Sequence, residues 1–384
     1  MIENSQNKPV LNRMKSVMII TGEASGDQHG AHLISELKKK DNSLYIFGIG
    51  GNNLKAQGVD IIFDSSLLSV VGLVEVLSKL PIILKGMRVA KTQLEKKMPE
   101  LLILVDFPDF NLNIAKKAKK LNIKVLYYIS PQIWAWRTGR VKTIKKLVNH
   151  MAVILPFEEK FYLEHSVPAT YVGHPLLDVK ERVVNKPEDN GFTVIGLLPG
   201  SRNSEVSKTL SVLLEAAIIL NKKMKHLKFI IPLAKSVDYD LFEKITTPFR
   251  NRIDFQVEEN GVENVFKKST LVIATSGTVT MEAAIANVPM IIIYILAPIT
   301  SIIGKMLIHV KAIGLPNLIA GKKIIPELIQ NDANPEKISQ TVFQILTTPK
   351  ILIKMKKELQ KVEGILGSKG ASEKTAQIAI DLLK

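Results

Sequence analysis

Short apolar runs alternate with longer helix-like stretches along nearly all of the 384-residue chain, and the alternation stops once and restarts. Ser16–Thr21, Leu44–Ile49, Leu101–Val105, Lys124–Ile129 and Met151–Leu155 read as strands, with helices expected over Gln28–Lys40 and Asn111–Leu121. A polar stretch after Asp178, KERVVNKPEDNG, reads as a linker. Strands then return at Thr193–Leu198, Lys228–Pro232, Arg252–Val257 and Leu271–Ala274, with a helix over Ser204–Leu220. Strands separated by helices of this length indicate βαβ units, and near-continuous apolar strands indicate parallel sheets covered on both faces. The expected fold is α/β: two Rossmann-like, doubly wound domains facing a cleft. Ligands of such sheets sit beyond the carboxyl ends of the strands.

Composition narrows the function. Hydrophobic residues make up 46% of the chain and charged residues 23%, which excludes a disordered or fibrous chain. Cysteine is absent, so no disulfide, thiolate nucleophile or Cys-ligated metal is available. The histidines show no metal-ligand spacing, and neither metal nor cofactor is expected. The net charge of +16 favours anionic partners. Lys85 to Lys146 holds 15 Lys or Arg against 4 Asp or Glu, a surplus of 11. No nucleic-acid-binding motif accompanies that charge, so no nucleic acid is expected as partner.

The first fifteen residues lack the apolar core of a signal peptide. Val288–Ile308 is the most membrane-like stretch, but Pro289 and Pro298 interrupt it, and a spanning helix needs about 20 apolar residues. It reads as a strand, Met290–Ile295, followed by an apolar helix. A second apolar stretch contains Leu67, Leu68, Val70, Val71, Leu73, Val74 and Leu77, immediately before the basic region. Apolar residues beside a basic field suit an interfacial surface that meets anionic lipid; a core helix beside a solvated charged face is the other reading.

Four strand-end loops carry chemistry. Thr21-Gly22-Glu23-Ala24-Ser25-Gly26-Asp27 offers glycines and a helix N-terminus, or is an ordinary turn in which Asp27 caps the helix. Asp106-Phe107-Pro108-Asp109-Phe110-Asn111 places a carboxylate where a general base would stand; capping explains Asp109, and Asp106 is either base or cap. Pro199-Gly200-Ser201-Arg202 combines a glycine turn with a guanidinium, suiting phosphate. Ser276-Gly277-Thr278 opens another helix, with Glu282 in its first turns, where a carboxylate would accept from a ribose diol or merely complement the helix dipole. Two anion-suited loops in one domain point to a nucleotide diphosphate. Trp134 and Trp136 either stack on a sugar or fill the core.

Together these segments resemble the lipid-A-disaccharide synthases, inverting glycosyltransferases of the two-Rossmann-domain (GT-B) type. The resemblance rests on TGEASGD, SVVGLVEVL, DFPDFN, YYISPQIWAWR, LPFE, VGHPL, LPGSR, SGTVTMEAA and GLPNLIAG, in that order from about Ser16 onward. It implies condensation of UDP-2,3-diacylglucosamine with 2,3-diacylglucosamine 1-phosphate (lipid X) to a β-1,6 disaccharide plus UDP. It implies Asp106 as base, with Glu23 second, and a UDP-sugar site of Gly200, Ser201, Arg202, Ser276, Gly277, Thr278, Glu282 and Asn317. By the same resemblance residues 1–15 are an extension, 16–185 the acceptor and membrane-facing domain, and 186–365 the UDP-sugar domain. Residues 366–384 are a C-terminal helix packing on the first domain or on a partner subunit. A homodimer, peripheral on the cytoplasmic face of the inner membrane through its anionic lipid, is implied too. Another GT-B UDP-sugar transferase with a lipid-linked acceptor is the alternative.

Overall fold

A computed structural model describes residues 14–68, 73–136, 138–178, 183–187, 191–295 and 312–384, without the side chains of 73–79, 135 and 136. Two compact units divide it. The first takes the chain up to Ile154, then Glu158–Pro175 and Gly370–Lys384; the second takes Leu155–Phe157 and Leu176–Lys369.

Seven strands make the sheet of the first unit: β1 (Ser16–Thr21), β2 (Tyr45–Gly50), β3 (Asp60–Asp64), β4 (Leu101–Val105), β5 (Lys124–Tyr128), β6 (His150–Val153) and β7 (Ala169–Tyr171). They lie in the order β3-β2-β1-β4-β5-β6-β7, every pair parallel. Side chains alternate across a strand, and β1 shows why both its faces must be apolar. Met18 and Ile20 enter one buried cluster with Leu102, Leu104, Phe110 and Ile114. Val17 and Ile19 enter another with Leu101, Ile103, Leu33 and Leu37. The last helix, Ala371–Leu383, closes that second face, contributing Ala371, Ala376, Ala379 and Leu383.

The second unit holds β8 (Thr193–Leu198), β9 (Leu227–Pro232), β10 (Phe255–Glu258), β11 (Leu271–Thr275), β12 (Met290–Tyr294) and β13 (Glu327–Ile329). Their order is β10-β9-β8-β11-β12-β13, again all parallel. The polar stretch read as a linker is partly stitched to this unit. Asn185 donates to the carbonyls of Phe266 and Ser269 at 2.7 and 2.8 Å, and the division between units falls at Pro175 and Leu176 instead. The helix expected after β12 lies outside the described residues.

In each sheet the chain winds outward on one side of the first strand and then returns to its other side. The crevice at such a reversal is where doubly wound sheets bind ligands. The two reversals fall between β1 and β4, and between β8 and β11.

Candidate active site

All four chemistry-bearing loops leave strands that flank these reversals: β1 and β4 at the first, β8 and β11 at the second. A threonine ends one strand of each pair and hooks a neighbour: Thr21 donates to the Ile49 carbonyl at 3.3 Å, and Thr275 to the Leu198 carbonyl at 3.2 Å.

At the first reversal the DFPDFN loop is folded tightly. Asp106 and Phe107 have φ of 48° and 50°, the left-handed region. Each such L residue costs about 1–2 kcal/mol. The Phe107 ring lies on Gly22, where a Cβ would fall 2.2 Å from ring carbon. Only glycine fits there, which couples TGEASGD to DFPDFN. Asp106 is half-buried, as is Glu23. The Asp106 carbonyl accepts from the Tyr127 hydroxyl at 2.6 Å and from Asn111 Nδ2 at 2.5 Å. The N-cap of the helix Pro108–Lys120 is Phe107, and Asp109 lies inside the helix. Asp109 is instead ion-paired with Arg140 at 2.5 Å.

Asp27 also departs from expectation. Its helix begins at Ala24, so Asp27 lies within it. Its buried carboxylate caps a different helix, Asn52–Ala56, accepting from the N–H groups of Gly51 at 2.6 Å and Asn53 at 2.9 Å. Trp134 is half-buried and tethered: its indole N–H donates to buried Glu158 of the LPFE segment at 3.0 Å. The side chain of Trp136 lies outside the described residues.

At the second reversal Gly200 has φ +113°, and a Cβ there would lie 2.4 Å from a Glu205 carboxylate oxygen. Glu205 accepts from the Ser201 N–H at 3.0 Å and from Arg202 Nη1 at 2.9 Å. A carboxylate thus already sits on the N-terminus of the helix Asn203–Lys223. Thr209, buried behind the loop, donates to the Pro199 carbonyl at 2.6 Å and fixes the turn. Across the reversal, Gly277 and Thr278 are exposed at the start of the helix Thr278–Ile285, whose first N–H groups have no intrahelical partner. Burial, with the nearby Glu263 charge adding to it, pushes the Glu282 carboxyl up to about 7.

A profile of lipid-A-disaccharide synthetase matches residues 17–381. The chain belongs to the lipid-A-disaccharide synthetase family. Lipid-A-disaccharide synthases of Geobacter metallireducens and Nitrosococcus oceani are each 43% identical to it. The match covers 96% of this chain in both cases, with 97% of the first relative and 96% of the second. Solved structures share the fold at lower identity. An MnaA–UDP complex from S. aureus superposes with TM-score 0.62 at 13% identity, covering 96% of this chain and 98% of that one. Acinetobacter baumannii MurG gives 0.54 at 15%, covering 96% and 99%. The family's two doubly wound domains are thereby present.

Within this synthetase-family chain, two assignments need correction. Asn317 is 1% exposed, and its amide is spent internally. Its Oδ1 accepts from Ile324 and Ile325 N–H at 2.7 and 2.9 Å, and its Nδ2 donates to Ile325 O and Glu327 Oε1 at 2.9 and 2.7 Å. It staples the GLPNLIAG loop and has no hydrogen-bonding capacity left for a ligand. Leu68 is fully buried in the core of the first unit, so it forms no part of an acyl-chain surface. Leu67 is exposed; Leu73, Val74 and Leu77 belong to the helix Leu73–Lys97, but their side chains, and residues Val70 and Val71, lie outside the described set. Leu80, Ile82 and Leu84, further along the same apolar stretch, are all exposed.

Seven of the fifteen basic residues between Lys85 and Lys146 share one kind of position. Lys96 and Lys97, Lys117, Lys119 and Lys120, and Lys145 and Lys146 stand in the last turns of three helices. In βα units those turns lie at the edge opposite the strand-end loops, where lysine complements the helix dipole.

Proposed function

We propose that this chain transfers glucosamine from UDP-2,3-diacylglucosamine to the six-hydroxyl of lipid X, in a single inverting displacement. The observation that carries the reading is the family match running through both units, with the family's motifs at both sheet reversals.

In this reading Asp106 takes the proton of the acceptor hydroxyl as its oxygen bonds to the anomeric carbon; Glu23, on the neighbouring strand end, is the second candidate. The bond from that carbon to the diphosphate breaks and UDP leaves. Arg202, the Gly200–Ser201 turn and the N–H groups at Ser276–Thr278 receive the developing charge, a preorganised site worth several kcal/mol, on the order of the loss when one such donor is removed. Arg202 must then exchange Glu205 for diphosphate. Glu282 accepts the ribose hydroxyls once ionised. Leu67, Leu80, Ile82 and Leu84 support contact of the first unit with the acyl chains and with the cytoplasmic face of the inner membrane. No described helix is long and apolar enough to cross a membrane.

The test is purified full chain with both lipids in mild detergent plus EDTA, following UDP release and disaccharide formation, beside Asp106→Asn and Arg202→Ala. Disaccharide from the unmodified chain with both variants severely slowed is expected. An active Asp106→Asn moves the base to Glu23 or elsewhere. UDP-sugar binding without turnover favours a related transferase with another lipid-linked acceptor.

A further inference from the structure

The Asp106–Phe107 segment holds two consecutive non-glycine residues in the left-handed region, so something must keep it there. Both donors on the Asp106 carbonyl come from fully buried side chains, Tyr127 and Asn111. Asn111 Nδ2 also reaches the Val105 carbonyl at 3.2 Å. These two carbonyls fix which end of the amide is nitrogen. The other end, Oδ1, is buried without a hydrogen-bond partner among the described residues.

That orphaned oxygen is informative. A buried acceptor without a donor is destabilising, and an aliphatic side chain in the same space would avoid the loss. An amide with one end wasted is retained where its other end grips the residue before the kink. Tyr127 shows the same bias: its hydroxyl, in the apolar core, finds its acceptor in that same carbonyl. Burial first, and then the Asp106 charge, push its ionisation well above the usual phenol range, so it stays a donor at any working pH.

We propose that Asn111 and Tyr127 are positioning residues for the transfer reaction: a two-donor clamp on the Asp106 carbonyl that fixes the direction of its carboxylate. The inference rests on Asp106 being the base. The clamp acts through the backbone and takes up neither carboxylate oxygen. Phe107, pressed on Gly22, holds the second residue of the kink.

The experiment compares Tyr127→Phe, Asn111→Leu and Asp106→Asn in the full chain. Initial rates with both lipids give kcat and KM for each, and thermal melting is recorded alongside. Tyr127→Phe keeps the ring and loses only the donor. Its kcat is expected to fall at least tenfold with KM for both substrates within twofold and the melting temperature nearly unchanged. Asn111→Leu is expected to do the same; if it fails to fold, Tyr127→Phe decides alone. Tyr127→Phe with an unchanged kcat, or a loss carried by KM, overturns the clamp. If Asp106→Asn is inactive in that same series, the base assignment stands while the clamp falls. An active Asp106→Asn removes the base assignment itself, and the clamp with it.

Discussion

Asn317 Nδ2 donates to Glu327 Oε1 across 2.7 Å, and the same carboxylate accepts the N–H groups of Gly314 and Ile313 at 2.9 and 3.0 Å. One amide and one carboxylate therefore hold both ends of the loop before β13. Asn317→Ala would orphan the N–H groups of Ile324 and Ile325 together. A loss of about 3 kcal/mol is expected from such desolvated, unpaired groups. Denaturant unfolding measures it. UDP affinity, read well below the melting transition, should stay within about twofold because no ligand bond is removed. A stable variant with abolished UDP binding would return Asn317 to the donor site.

Gly22→Ala places a methyl into the Phe107 ring. The ring must move, and the Asp106 loop with it. A fall in kcat of roughly tenfold or more is expected from misplacing a reacting group by about 1 Å. Steady-state kinetics on the variant checks this, and Gly22→Ala with normal turnover would show the two loops to be uncoupled.

Glu282 supplies a pH dependence with a definite sign. Its folded pKa of about 7 lies above the ordinary 4.5. Between those values the folded chain holds a proton that the unfolded chain has released, so stability falls as pH rises from about 4.5 to 7 and is flat above. The whole effect is at most about 3 kcal/mol. UDP binding should run the other way, tightening as pH passes through 7, because the ionised carboxylate accepts the ribose hydroxyls. Denaturant unfolding from pH 4.5 to 8 tests the first and calorimetric titration with UDP from pH 6 to 8 the second, and Glu282→Gln should flatten each curve.

Asp27→Ala removes a buried carboxylate that satisfies Gly51 and Asn53. A destabilisation of about 2 kcal/mol is expected, at the upper end for a helix cap. Thermal melting reads it, and a change below a degree would mean that water replaces the cap.

Leu80→Ser with Leu84→Ser takes apolar area from an exposed helix face. Each exposed leucine that inserts contributes about 1–2 kcal/mol to partitioning, so vesicle cosedimentation should weaken at least tenfold with the melting temperature kept. Unchanged partitioning would move the membrane contact to another part of the chain.

Much of this architecture is written locally. β1, β4, β8 and β11 are continuous apolar runs, and each is buried end to end or nearly so. Their loops could be assigned to strand ends before any coordinates. Three of the four edge strands were not legible, β10 being the one that was read. β3 reads Asp-Ile-Ile-Phe-Asp with both ends exposed, and β7 and β13 are three residues each, too short for a periodicity. The first helix starts earlier than read because Ser25 and Gly26 look like a turn. Gly30 explains why a poor helix former is kept: a Cβ there would crowd Thr21 at 3.0 Å. Partners distant in sequence were the larger gap. Asp27 meets Gly51, and Asn317 meets Glu327, through hydrogen bonds that no spacing rule encodes. Charge counting likewise found the basic stretch but not that seven of its lysines end helices, which follows from the direction of each helix.

The first strand and the last helix share a core. Val17 and Ile19 pack in one cluster with Ala376, Ala379 and Leu383. The second unit needs nothing beyond Lys369. The first unit does. Part of one face of its sheet stays uncovered until the helix Ala371–Leu383 has cleared the ribosome, so the unit that begins first is completed after the other. A nascent chain stalled or truncated before Gly370 would present that apolar face to the cell's chaperones and proteases.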